Sequence, residues 1–124
     1  MIQEGIFLVV VLEAGPEWQT IVKLALDANF PVVVHVCKEF SRVRSLKPEA
    51  VDLAIIGDLD SEQMPKALEW AQERQAKGRP TIFLSDICRV RGSNFLQKAK
   101  FGDGRRFLEE VGQFLPALPK EAQA

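Results

Sequence analysis

The chain has 124 residues and a formal net charge of −1, with sixteen basic residues against seventeen acidic ones. That is the length of one domain, since domains typically run to about 100–150 residues. With 47% hydrophobic and 27% charged residues, it has the makings of an ordinary core and is not disordered. The balanced charge excludes bulk electrostatic attraction to nucleic acid or anionic membrane, although a local patch remains open.

Two cysteines, Cys37 and Cys88, are too few for a disulfide framework or a four-thiolate zinc site. The opening MIQEGIFLVVVLEAG carries Glu4 where a signal peptide carries positive charge, and no small-residue cleavage site follows. No apolar run approaches the roughly 18 residues of a membrane span. A cytoplasmic, reduced domain spanning residues 1–115 is expected, with 116–124 as a C-terminal tail.

In chain order, short apolar runs alternate with amphipathic segments. Ile6–Leu12, Pro31–Val36, Val51–Ile56 and Thr81–Leu84 are nearly continuous in apolar character, as strands buried on both faces of a parallel sheet are. A weaker fifth run is Asn94–Gln97. Between them, Trp18, Ile21, Val22 and Ala25 follow helical spacing after Pro16, which suits a first helical position. A short helix is expected at Ser41–Leu46. The segment Pro65–Lys77 places Ala67, Leu68 and Ala71 on one stripe, with Arg74 and Lys77 in the last turn and Gly78 as the stop. A last helix is expected from Gly104 to Leu115, with Asp103 as N-cap.

This alternation predicts an α/β three-layer sandwich. Its five-stranded parallel sheet has the flavodoxin-like order 2-1-3-4-5, with a functional crevice beyond the carboxyl ends of strands 1 and 3. The residues leaving the sheet there are Glu13-Ala14 after strand 1, Gly57-Asp58 with Asp60 after strand 3, Ser85-Asp86 after strand 4, and Lys98 with Lys100 after strand 5.

Taken together, VVVLEAGPE, VDLAIIGDL, PTIFLS and FLQKAK resemble the receiver domain of bacterial response regulators, over roughly Gly5 to Leu115. The 44 positions from Glu13 to Gly57 and the 28 from Gly57 to Ser85 are similar to the family's spacing. The resemblance implies a phosphorylation pocket made by an acidic pair, an acceptor aspartate, a Ser/Thr and a lysine. Here the acidic pair is Glu13-Ala14, the acceptor position is Gly57, and the last two are Ser85 and Lys98. The 13 positions from Ser85 to Lys98 are too few for the family's usual fourth helix and fifth strand, so that helix is expected to be short or missing.

Phosphoryl transfer onto a carboxylate needs a nucleophilic oxygen and a divalent cation. Magnesium needs several oxygen ligands. Gly57 and Ala14 supply neither, so the likeness is to a pseudo-receiver without enzymatic activity. The expected function is a phosphorylation-independent protein–protein interaction module in bacterial signalling or regulation. The alternatives are a phosphoswitch with a rewired acceptor, Asp58 or Asp60 with magnesium, and a small-anion sensor using Ser85 and Lys98.

His35 is the only histidine and has no partners at ligand spacing, so no metal is assigned. No phosphate-loop or dinucleotide motif is present, so no cofactor is assigned. Between Arg89 and Arg106 lie six basic residues, Arg89, Arg91, Lys98, Lys100, Arg105 and Arg106, with Asp103 the only acid. A solvated face is the ordinary reading of such a cluster; the sharper one is a docking surface for an acidic protein. In receivers this side carries dimer and partner contacts. No nucleic-acid-binding motif accompanies the charge. Trp70 lies off the Ala67–Leu68–Ala71 stripe and is expected as a further contact residue, because tryptophan is enriched at interface hot spots.

Overall fold

The computed structural model describes residues 6–84, 96–98 and 104–115. Strand β1 (Phe7–Leu12) leads to helix α1 (Pro16–Asn29) and strand β2 (Val32–Cys37). Two single 3-10 turns, Phe40–Arg42 and Pro48–Ala50, precede β3 (Leu53–Ile56). Helix α2 (Met64–Ala76), β4 (Thr81–Leu84), β5 (Leu96–Lys98) and α3 (Gly104–Gly112) complete the order.

The sheet is parallel, with β1 between β2 and β3, and β4 beyond β3. The order 2-1-3-4 agrees with the sequence expectation and is compatible with a flavodoxin-like arrangement. The three residues of β5 pair in parallel with the outer side of β4, Lys98 opposite Leu84. Residues 85–95, where the short or missing fourth helix was expected, lie outside the described residues, as does the tail 116–124.

Strand alternation sorts the core into two layers. Val9, Val11, Leu53, Ile55, Ile82 and Leu84 face α1 and α3, where Val22, Leu26, Phe107 and Val111 meet them. Val10, Leu12, Ala54, Ile56 and Phe83 face α2 and the β2–β3 connection, where Val43, Met64, Ala67, Trp70 and Ala71 meet them. The central strands β3 and β4 are buried at every position, which accounts for their unbroken apolar runs. Strand β2 is an edge strand, and its Val33 is 49% exposed and its His35 exposed. That face lies beside a crossover built from 3-10 turns, with no α-helix to cover it.

The helix expected at Ser41–Leu46 is therefore corrected to a 3-10 turn followed by hydrogen-bonded turns, with only Val43 of the segment fully buried. Six residues carrying Arg42, Arg44 and Ser45 offer too little apolar surface to hold an α-helix against the sheet. The stripe of α1 is also displaced. Val22 and Leu26 are its buried residues, while Ile21 is 52% exposed.

Helix α2 ends as the sequence indicates. Gly78 takes φ +76°. Its N–H donates to the Gln75 carbonyl (2.9 Å) and that of Arg79 to the Arg74 carbonyl (2.8 Å), the paired bonds of a Schellman motif that glycine permits. Among the described residues, no helix is long and apolar enough to cross a membrane.

Candidate functional site

The register of β1 and β3 builds the crevice. Leu12 is opposite Ile56, and the Gly57 N–H donates to the Leu12 carbonyl at 2.7 Å. The next residues along the two strands, Glu13 and Gly57, are thereby held side by side. The Glu13 N–H continues the ladder to the Cys37 carbonyl (3.0 Å), and the Ala14 N–H reaches the Asp58 carbonyl (3.0 Å). Backbone pairing thus fixes the loops after β1 and β3 to each other.

Glu13 is 3% exposed. Its Oε2 accepts from the Gly15 N–H at 2.8 Å and its Oε1 from the Asp58 N–H at 3.2 Å. Gly15 is the N-cap of α1, so the carboxylate sits at the positive end of that helix. The Gln19 side-chain amide donates to the Glu13 carbonyl at 2.7 Å, tying the first turn of α1 to the same residue. A buried carboxylate needs such donors, because an uncompensated one is costly.

The decisive geometry is at Gly57. A Cβ on this residue would lie 2.0 Å from Glu13 Oε1 and 2.8 Å from Glu13 Cδ. No real contact is that short, so the Glu13 carboxylate occupies the space that a side chain at position 57 would need. Position 57 is thus not an empty place in the crevice: a neighbouring acid fills it. Gly57 is not among the described residues with positive φ, so its requirement for glycine is spatial rather than conformational.

The remaining sequence candidates divide. Asp58 is half-buried and Asp60 is exposed. Ala14 is half-buried and contributes only backbone. The backbone of Lys98 lies in β5, and that of Arg105 and Arg106 in α3. Ser85, Arg89, Arg91 and Lys100 lie outside the described residues, as does Cys88. Cys37 is half-buried, and burial pushes its thiol pKa up, partly opposed by the Arg42 charge. Among the described residues no cluster of His, Cys, Asp and Glu could hold a metal ion.

Trp70 requires a correction. It is 4% exposed and belongs to the core, so it is not a protruding contact residue. The buried face of α2 comprises Met64, Ala67, Trp70, Ala71 and Arg74, wider than the small stripe read from the sequence. Its unexpected member is Arg74, fully buried. The guanidinium donates to the Val51 carbonyl (2.6 Å), the Pro80 carbonyl and the Thr81 hydroxyl (3.2 Å), and lies 5.2 Å from the Trp70 ring centroid. Burial, with the Arg79 charge adding to it and Asp52 opposing, draws its pKa down to about 10, so it remains charged at neutral pH. Its helical spacing from Ala67 and Ala71 was the available signal; its charge argued the other way.

The sequence matches no protein-family model and no curated protein.

Proposed function

We propose that this chain is a pseudo-receiver, a non-enzymatic protein–protein interaction module of bacterial signalling or regulation that works without aspartyl phosphorylation. The observation that carries this reading is the Glu13 carboxylate lying where a side chain at position 57 would be. A receiver's chemistry needs an acceptor carboxylate there and open oxygen ligands for a divalent cation. Here the neighbouring acid is turned inward onto the backbone N–H groups of Gly15 and Asp58. The space of an acceptor side chain is then already filled, so the surface around it has no phosphorylation-dependent state to adopt. The partner surface proposed for it is the basic cluster of Arg89, Arg91, Lys100, Arg105 and Arg106, facing an acidic protein in the cytoplasm.

The test is incubation with acetyl phosphate and magnesium, followed by intact mass. The expected result is no added phosphoryl group. A stoichiometric gain that disappears in Asp58→Asn or Asp60→Asn would replace this reading with that of a rewired phosphoswitch.

A further inference from the structure

Strand β2 ends one side of the sheet, with β1 as its only neighbour among the described residues. The Phe7 N–H donates to the Pro31 carbonyl and the Glu13 N–H to the Cys37 carbonyl, both at 3.0 Å. Alternate residues of a strand turn their backbone groups to the same side, so Val33 and His35 face β1 as well. The N–H and C=O groups of Val32, Val34 and Val36 therefore point to the open edge, where nothing among the described residues bonds to them.

Native edge strands are protected by charged side chains, proline, a bulge or a cover. None of these is present among the described residues. Val32–Cys37 contains no Asp, Glu, Lys, Arg or Pro, and its register with β1 advances one for one, without a bulge. The charges at the two ends of the strand identify what fits the edge. Helix α1 ends beside the start of β2, with Asp27 but no basic residue in its last turn, although the negative end of a helix favours a cation. Lys38, just past the other end of β2, is exposed and in no ion pair among the described residues. Within one chain the two lie a strand's length apart.

We propose that β2 is the interface of a homodimer, in which two copies pair this strand antiparallel about a two-fold axis at Val34 and join their sheets. In this register Val34 is opposite its own copy and Val32 opposite Val36 of the second copy, so all the outward backbone groups are used. Continuing the register, Lys38 is opposite Phe30 of the second copy, the C-cap of α1. Both have the parity of Val32, Val34 and Val36, which pack on the α1 side of the sheet. Each Lys38 is thereby delivered to the negative helix end and the Asp27 of the other copy. A parallel pairing would instead set Lys38 beside Lys38. On the opposite face Val33, 49% exposed, is opposite His35 of the second copy, in the kind of pair whose side chains approach most closely. The interface lies at the far edge of the sheet from β5 and is independent of the crevice, so a phosphorylation result of either sign leaves it standing. A six-residue strand covers only part of the roughly 800 Å² per partner of a standard interface, so a dimer that dissociates in the micromolar range is expected.

The test is sedimentation velocity of the full chain across the micromolar range, with amide hydrogen exchange followed at the same concentrations. The expected result is a monomer–dimer equilibrium in which the amides of Val32, Val34 and Val36 gain protection as the dimer fraction rises. Val33→Lys adds the charge that the edge lacks and should weaken association about tenfold or more. Lys38→Glu reverses two equivalent contacts in each dimer and should weaken it about tenfold. Both substitutions change exposed side chains and should keep the native amide spectrum. A chain that stays monomeric throughout would overturn the proposal. So would a dimer whose Val34 amide gains no protection, or one that either variant leaves unchanged.

Discussion

Replacing Gly57 by alanine adds one carbon atom, and the structure says where the cost falls. The new Cβ would sit 2.0 Å from Glu13 Oε1, so the Glu13 side chain must leave. The atom in the way is the far end of a flexible side chain, so steric strain itself is relieved cheaply. What is lost is the pair of bonds that the carboxylate accepts from Gly15 and Asp58. A hydrogen bond to a charged group contributes roughly 1.5–3 kcal/mol net, and the 3.2 Å bond from Asp58 belongs at the low end. Displacing both should cost about 3–4.5 kcal/mol. The reduced freedom of the unfolded chain on replacing glycine returns about 0.4–1 kcal/mol. The net expectation is a destabilisation of roughly 2–4 kcal/mol, measured by urea denaturation at neutral pH. A second arm isolates the cause. In a Glu13→Ala background the obstruction is gone, and Gly57→Ala should be neutral or slightly stabilising, so the two substitutions should be strongly non-additive. If Gly57→Ala leaves the unfolding midpoint of the otherwise native chain unchanged or raises it, the Glu13 carboxylate does not fill that space and the reasoning fails.

Arg74→Met should destabilise by about 3 kcal/mol, because it leaves the buried Val51 carbonyl without its guanidinium donor and the Pro80 carbonyl with the Ala54 N–H as its partner; a loss below about 1 kcal/mol in the same urea assay would count against a structural role for the buried guanidinium. Cys37 should alkylate more slowly than free cysteine in a Cys88→Ser background. Its raised pKa lowers the thiolate fraction at about pH 8, and an iodoacetamide rate equal to that of the free amino acid would contradict this.

The layer order was legible in the sequence because its cause is local. Strands buried on both faces must be apolar throughout, as VVVL in β1 and LAII in β3 are. Helix ends follow from backbone rules that act over a few residues, which is why Pro16 and Gly78 marked theirs. The acidic residue leaving β1 and the glycine leaving β3 could likewise be singled out by their place at the carboxyl edge of the sheet. What the sequence could not express is that the two are complementary. Glu13 and Gly57 are 44 positions apart, and only the β1–β3 register sets one beside the other, so that the carboxyl of the first fills the space beside the second. Arg74 and Trp70 make the same point in the core. Read along the helix, one is a charge favouring the last turn and the other lies off the apolar stripe. The carbonyls of Val51 and Pro80 come from other elements, and once they are brought to α2 they satisfy the guanidinium and allow it to be buried against the indole ring. Composition and periodicity report what each residue prefers on average, whereas the position of a charge in a folded chain is decided by which distant donors and acceptors the tertiary structure delivers to it.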